Sequence, residues 1–328
     1  MSRFTASRAG QPATARGATA TGSDHPPAHR PIAGCRDAPR VAARNSGRSQ
    51  VACGAVTAAP VLPSAGAMLP AHVRNAFGVN DVEPRPVVWA GRRAWHCGEV
   101  LVRPVPDNVV AAWSAAVLDG LQVNGVRIAR PLRSSDGRWV VGGWAACRFI
   151  PGTVEPRYDE VVEASVRLHA ATATVSRPRL LDDRDDLVSR SAAGAFGERR
   201  LALDPATGGE LYAQLAEFRR PIQLVPQLVH PELFGAVLFD EHGMPALIDL
   251  VPCWRPAQWA AAVIVVDAVA WGGADDALPQ RWKHLEEWPQ VLLRALLHRV
   301  ALHAQHPDAS PQTLAGLQRA AGAIGPLL

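Results

Sequence analysis

The dipeptide Pro151-Gly152 divides the chain into two parts of different periodicity, and this division constrains the fold more than any other feature. Before it, short segments rich in β-branched and aromatic residues alternate with turn residues, which is typical of antiparallel strands. After it, apolar residues recur at spacings of three and four, which is typical of amphipathic helices. The sequence therefore predicts an α+β chain, with an N-terminal strand-rich lobe at residues 68–150 and a mainly helical C-terminal lobe at residues 151–328.

The N-terminal lobe is predicted to contain five antiparallel strands and one helix. Asp107 and Asn108 are favourable N-caps for the helix, and Gly120 marks its end. A Ser-Ser-Asp-Gly turn at residues 134–137 separates the last two strands. The predicted strands are residues 87–89, 94–97, 100–103, 126–133 and 139–150, and the predicted helix is residues 107–121.

The C-terminal lobe is predicted to be helical around a central β-rich stretch at residues 228–250. The predicted helices are residues 158–171, 208–219, 256–271 and 289–306. An acidic run at residues 182–186 is interpreted as a loop that caps a following helix.

Residues 1–67 have a composition unlike the rest of the chain. They contain 17 Ala, 8 Arg, 7 Gly and 7 Pro, and Phe4 is their only aromatic residue. Such a segment buries too little apolar surface to offset its conformational entropy. We expect it to be a disordered tail or an upstream reading frame, with Met68 as the true start; a targeting sequence is the alternative.

The net charge argues against a nucleic-acid partner. The whole chain carries +4, and the eight Arg and two Asp of residues 1–67 give that segment +6, which leaves −2 for residues 68–328. Proteins that grip phosphate backbones need a basic excess. No nucleic-acid partner is therefore predicted.

The cysteines and the hydropathy pattern predict a cytoplasmic protein. Five cysteines are widely spaced and form no C-x-x-C pair, which is not typical of a disulfide framework or a zinc site. The longest apolar runs are shorter than the about 20 residues of a membrane-spanning helix. We expect neither a membrane span nor a secretion signal.

The stretch at residues 228–250 reads LVHPELFGAVLFDEHGMPALIDL. It resembles the aminoglycoside phosphotransferase and choline kinase superfamily, of the protein kinase-like fold, whose pattern is H-G-D-x-x-x-x-N, a short turn and then I-D. The segments Leu168-His169-Ala170 and Asp267-Ala268-Val269-Ala270 are similar to two further segments of that superfamily. More narrowly, residues 69–328 resemble an actinobacterial kinase-like family of this length.

The resemblance implies a bilobal protein kinase-like fold, ATP and Mg²⁺ as cofactors, and a small-molecule hydroxyl group as phosphate acceptor. By position, His230 supports the catalytic loop, and Glu232 stands where the superfamily has the Asp that deprotonates the acceptor. Asp249 matches the metal-binding Asp. Arg103 falls where a strand-borne Lys contacts the nucleotide phosphates.

Several positions depart from the superfamily pattern. Ala236 replaces an Asn that would bind metal, and it offers no oxygen ligand. Glu232 is one methylene longer than Asp, and Pro231 replaces a Gly and removes a backbone donor. The only lysine of the chain is Lys283, in the C-terminal lobe, and the helix at residues 107–121 contains no Glu to pair with a strand-borne cation.

Two functions remain open at this point. The first is an ATP-dependent small-molecule phosphotransferase with an eroded active site, using Glu232 as base, Asp249 on Mg²⁺ and Arg103 on phosphate. The second is a pseudokinase, a binding or scaffolding module with little turnover. Two of these residues also have a structural alternative: Glu232 as a carboxylate kept by the loop, and His230 as a hydrogen-bonding side chain. Five tryptophans of the C-terminal lobe are interpreted either as an aromatic acceptor pocket or as core.

Overall fold

The computed structural model describes residues 68–89 and 91–328. The prediction of a disordered or untranslated segment at residues 1–67 lies outside the described residues. In the described part, strands dominate up to Arg148 and helices dominate from Tyr158 onward. This order confirms the predicted α+β class, with a strand-rich N-terminal part followed by a mainly helical C-terminal part.

An antiparallel sheet forms the N-terminal lobe. Its strands follow the order β1-β2-β3-β7-β5, and the short β6 pairs with β7. Each of the five predicted strand segments contributes at least one strand to this sheet, and the segment at residues 139–150 contributes both β6 and β7. The strands of this sheet are β1 Arg85–Trp89, β2 Arg92–Cys97, β3 Val100–Pro104, β5 Pro131–Leu132, β6 Val140–Val141 and β7 Trp144–Arg148.

Two smaller sheets lie at and beyond the junction between the lobes. One has the order β4-β10-β9 and the other pairs β11 with β8. Their strands are β4 Arg127–Ile128, β8 Gln227–Val229, β9 Val237–Phe239, β10 Pro245–Leu247 and β11 Cys253–Arg255.

The predicted strands at residues 126–133 and 139–150 are each interrupted in the structure. The first is divided into β4, which pairs in parallel with β10, and β5, which pairs with β7. The second turns between β6 and β7 at Gly142 and Gly143, whose φ angles are 56° and 82°. Local periodicity identifies extended residues, and it does not reveal where an extended segment changes partner.

The predicted helix of the N-terminal lobe is α2, Asn108–Gly120, and a six-residue helix, α1 Ala71–Ala76, precedes the sheet. The side chain of Asp107 caps α2, because one carboxylate oxygen accepts the amides of Val109 and Val110 at 2.8 and 3.0 Å. At the other end, the Arg130 guanidinium donates to the carbonyls of Leu118 and Asp119. Both ends of α2 are therefore fixed.

Seven helices of the described chain follow the lobe junction. The four predicted helices correspond to α3, α5, α6 and α8, and a π-helical turn, Ala268–Gly272, extends α6. Helix α9 is not predicted, whereas α4 begins at the acidic run, where the Asp186 carboxylate accepts the Ser189 amide. The helices are α3 Tyr158–Thr172, α4 Leu187–Ala195, α5 Gly209–Ala216, α6 Ala257–Asp267, α7 Leu278–Arg281, α8 Trp288–Ala304 and α9 Pro311–Ile324.

Helices α6 and α8 form the centre of the C-terminal lobe. Every residue from Trp259 to Asp267 and from Val291 to His303 is buried. A charged side chain on such a helix needs a partner within the core, because an isolated buried charge is costly. Among the described helices, none combines the length and the continuous apolar character needed to cross a bilayer.

The segment after Pro151 is bound to the hairpin formed by β9 and β10. Thr153 and Phe239 exchange backbone hydrogen bonds, with N···O distances of 3.0 and 2.8 Å. Gly152 has φ 153°, and a Cβ at this position would lie 2.8 Å from the Phe239 carbonyl oxygen. Glycine is therefore required where the linking segment meets the hairpin.

Candidate active site

Asp249 lies two residues beyond β10, where the hairpin meets the N-terminal sheet. It is 3% exposed, and its Oδ2 lies 2.9 Å from Nη1 of Arg92, the first residue of β2. Its Oδ1 lies 3.4 Å from Nε2 of His230, a long contact that leaves both atoms without a well-formed hydrogen bond. Burial opposes ionisation of Asp249, yet the Arg92 charge, the His230 ring and the Arg103 charge hold its pKa below the usual range.

His230 occupies the centre of a buried chain of hydrogen bonds. Its Nδ1 accepts the amide of Glu232 at 3.3 Å, so the ring proton lies on Nε2, which points to Asp249. The His230 amide donates to Nε2 of His169 at 3.0 Å. Burial, followed by the neighbouring His230, lowers the pKa of His169 to about 3, so its ring is neutral and its Nδ1–H faces the Ser165 hydroxyl. The geometry is that of a support for the loop at residues 230–232.

Glu232 points into the core of the C-terminal lobe. Its Oε1 and Oε2 accept hydrogen bonds from Arg299 of α8 at 2.8 and 3.3 Å. The same guanidinium donates to both carboxylate oxygens of Asp267, at the end of α6, at 2.7 and 2.5 Å. We call Glu232, Arg299 and Asp267 the buried triad; their side chains are between 1% and 3% exposed.

The buried triad holds two carboxylates on one guanidinium. Burial opposes the charge of Glu232, but Arg299 outweighs it and lowers the Glu232 pKa. Burial raises the pKa of Asp267 to about 6, with Arg299 opposing this shift and the charge of Glu232 adding to it. At neutral pH both carboxylates are therefore mainly ionised, and Asp267 is the first of the two to accept a proton as the pH falls.

Arg103 lies on β3 at the edge of a small cavity between the sheet and α2. The cavity has a volume of about 30 Å³ and is bounded by small residues of α2, among them Ala111, Ser114 and Ala115. Ile248 and Leu250, which flank Asp249, also line it. The Ser114 hydroxyl is buried without a hydrogen-bond partner among the described residues. Small side chains therefore face Arg103 from the helix that contains no Glu.

The four residues predicted for the site are placed in two environments. His230 links them, since its ring faces Asp249 and accepts the amide of Glu232. The two carboxylates, however, pair with different guanidinium groups, Asp249 with that of Arg92 and Glu232 with that of Arg299. The catalytic, phosphate-binding and metal-binding roles of the four residues remain predictions.

The sequence analysis does not identify Arg92 and Arg299. For Arg299 a signal exists, because this charged residue lies within an otherwise apolar helix and must find a buried partner. For Arg92 there is no comparable signal. Arg92 directly follows Gly91 and precedes another arginine, Arg93. An arginine at either position is common in a strand at the protein surface.

The residues as arranged do not fit Mg²⁺. This ion requires several hard oxygen ligands in near-octahedral geometry. Ala236 offers no side-chain oxygen, the oxygens of Glu232 are engaged by Arg299, and those of Asp249 face Arg92 and His230. Within residues 68–89 and 91–328, no group of three or more His, Cys, Asp or Glu side chains is arranged to hold a metal ion.

Comparison of the chain with known proteins gives similarity in structure but not in sequence. No protein-family model matches the chain, and no curated protein matches its sequence. A microcompartment-associated aminopropanol kinase is similar, with a TM-score of 0.48 and 14% identity over 77% of this chain and 94% of that chain. So is an aminoglycoside phosphotransferase mutant in complex with AMP-PNP and hygromycin B, with a TM-score of 0.47 and 13% identity over 74% of this chain and 93% of that chain.

A choline kinase from Streptococcus pneumoniae is also similar, with a TM-score of 0.45 and 11% identity over 72% of this chain and 89% of that chain. At such identities a likeness concerns the fold alone, and a shared fold does not fix a function. The actinobacterial origin stays a prediction. The structural neighbours of this chain are thus small-molecule kinases of the protein kinase-like fold.

Proposed function

We propose that this chain is a phosphotransferase-type protein with an eroded active site, which binds a nucleotide between the N-terminal sheet and the β9–β10 hairpin. The observation that carries the proposal is the position of Asp249, between the Arg92 guanidinium of the sheet and His230 of the loop. Arg103 adds a second positive charge close enough to affect the Asp249 carboxylate. The positive charges of Arg92 and Arg103 thus lie near the place where the sequence resemblance implies that the nucleotide phosphates bind.

The proposal has two forms, which differ in turnover. In the first, the γ-phosphate of ATP is transferred to a small-molecule hydroxyl, with Glu232 as base, His230 supporting the loop and Arg103 on phosphate; the Mg²⁺ that the resemblance implies on Asp249 has no part in it, because the residues do not fit that ion. In the second, the chain is a pseudokinase that binds nucleotide as a binding or scaffolding module. Cytoplasmic residence and the lack of a nucleic-acid partner remain predictions from composition in both forms.

The environment of Glu232 favours the second form. A general base must come within hydrogen-bonding distance of the proton that it removes, and its pKa should lie near the working pH. Glu232 is 3% exposed, both of its oxygens already accept hydrogen bonds from Arg299, and its pKa is lowered. A substrate hydroxyl would have to displace a charged partner in the core of the lobe.

The proposal is tested by measuring the unfolding temperature of the full chain with millimolar ATP or GTP, with and without Mg²⁺. A ligand that binds the native state alone raises its stability by RT ln(1 + [L]/Kd). We expect a rise with nucleotide. No rise with either nucleotide under any of these conditions would contradict both forms.

Phosphate release from ATP then separates the two forms. If the chain is a phosphotransferase, slow release should occur and should disappear in Glu232→Gln, while the nucleotide-induced rise in unfolding temperature is kept. If it is a pseudokinase, release from wild type and from Glu232→Gln should be the same and at background. Circular dichroism of the variant verifies that it is folded.

A further inference from the structure

We infer that Arg92 occupies the place of the metal ion, so that the site binds a nucleoside triphosphate without a divalent cation; this inference rests on the proposed function. A metal ion in a phosphotransfer site supplies positive charge between a protein carboxylate and the phosphate oxygens. In this chain a guanidinium already contacts the carboxylate, at 2.9 Å between Arg92 Nη1 and Asp249 Oδ2. The charge that a cation would bring is built into β2.

Arg92 has donors left for a ligand. A guanidinium carries five N–H donors, and within residues 68–89 and 91–328 Arg92 contacts no carboxylate other than Asp249. Its side chain is 39% exposed, whereas that of Asp249 is 4% exposed. The Asp249 side of the ion pair is therefore buried, and the Arg92 side is open to solvent. A phosphate group that approaches from the open side can accept hydrogen bonds from the positively charged Arg92 guanidinium. No metal ion is needed to supply that positive charge.

Strand register places Arg103 beside Arg92 on the same face of the sheet. β2 and β3 pair with His96 opposite Leu101. Arg92 lies four residues from His96 and Arg103 two residues from Leu101, so both arginines lie on the face of that pair. Both charges also act on the Asp249 carboxylate. Two arginines thus border the carboxylate, and the local charge of two guanidinium groups and Asp249 is +1.

This charge balance selects an anionic ligand. A Mg²⁺ ion on Asp249 would lie beside the Arg92 guanidinium and be repelled by it, whereas a polyphosphate would be attracted by both arginines. Guanidinium groups bind phosphate oxygens in pairs of parallel hydrogen bonds. ATP free of metal carries more negative charge than its Mg²⁺ complex, so it suits two arginines better.

The inference is tested by titrating the full-length protein with ATP, in EDTA and in Mg²⁺, and measuring the dissociation constant by calorimetry. For wild type we expect ATP to bind in EDTA at least as tightly as in Mg²⁺. For Arg92→Ala we expect the dissociation constant in EDTA to rise about 10-fold or more, because hydrogen bonds to a charged group are lost. Arg93→Ala is the matched control: the same charge is removed one position away, on an exposed residue of the same strand, and binding should not change.

The possible outcomes separate this inference from the function on which it rests. Binding of ATP in Mg²⁺ but not in EDTA would overturn the inference and leave the proposed function standing. Binding in neither condition would overturn both. Equal weakening by Arg92→Ala and Arg93→Ala would also overturn it, since the effect would then be one of net charge. If Arg92→Ala does not fold, the wild-type titrations in EDTA and Mg²⁺ decide the question by themselves.

Discussion

His230 lies between two buried carboxylate sites, since its ring faces Asp249 and accepts the amide of Glu232. The two sites compensate the buried negative charge in different ways. In the buried triad, Glu232 and Asp267 share an arginine whose side chain is 2% exposed. At Asp249 the paired arginine comes from the other lobe and is 39% exposed. A fully buried ion pair cannot lose one member without leaving a bare charge in the core. A half-exposed arginine can be replaced by water or by another ligand. The buried triad therefore suits a structural role, and Asp249 suits the binding role proposed for it.

Removing Arg299 should have the largest effect on stability. In Arg299→Met the side chain keeps much of its apolar volume, but Glu232 and Asp267 are left buried without a cation. Breaking a buried pair in this way costs about 3–5 kcal/mol, and we expect a loss of this size in the free energy of unfolding, measured with urea.

The matched control replaces the whole triad with neutral groups. Glu232→Gln, Asp267→Asn and Arg299→Met together leave no bare charge, and neutral replacements of buried ion pairs are often tolerated. The triple variant should therefore be more stable than Arg299→Met alone. If Arg299→Met costs less than about 1 kcal/mol, the triad is not what holds α6, α8 and the loop together.

A smaller effect concerns the pH dependence of the triad. Burial raises the pKa of Asp267 to about 6 from the ordinary value of 3.8. In the range between these values the native state holds a proton that the unfolded chain releases, so this group favours folding at pH 5 and loses that contribution as the pH rises through 6. Asp267→Asn should remove this contribution, on the order of 1 kcal/mol.

The measurement is the free energy of unfolding of wild type and Asp267→Asn at pH 5 and pH 7. Buried neutral histidines act in the opposite direction: burial lowers the pKa of His169 and His298 to about 3, so both destabilise the native state on acidification. Glu232, whose pKa is lowered, makes a contribution to native-state stability that is lost only at more acidic pH. These contributions are common to both proteins. Relative to wild type, Asp267→Asn should therefore be less stable at pH 5 than at pH 7; an unchanged difference would contradict the shift.

The same contrast explains how much the sequence could predict. The segments that form β1, β2, β3 and α2 were predicted because alternation and an N-cap are local signals, and Asp107 indeed caps α2. The recurrence of apolar residues at spacings of three and four likewise predicts α6 and α8. By contrast, the division of residues 126–133 depends on β10, a partner more than a hundred residues away.

The candidate site was predictable in its residue types and not in its pairing. The loop and hairpin that carry His230, Glu232 and Asp249 follow from a contiguous motif. The guanidinium partners come from β2 and α8, and nothing local to either arginine indicates which carboxylate it will contact. Long-range pairing of charges is a property of the assembled lobes, so the motif that predicts a base at Glu232 does not reveal that Arg299 engages both oxygens of this carboxylate.

The smallest expected effect is on the stability of Arg92→Ala. Arg92 is half-exposed and screened by solvent, and the Arg103 charge and the His230 ring remain beside Asp249 after its removal. Exposed ion pairs contribute about 0–1 kcal/mol, and we expect a loss of about 1 kcal/mol in the free energy of unfolding, measured with urea. Arg93→Ala should cost less than this. A loss as large as that of Arg299→Met would mean that Asp249 depends on Arg92 as Glu232 depends on Arg299. Asp249 and Arg92 would then form a second structural ion pair, and the Arg92 guanidinium could not leave Asp249 to bind a ligand.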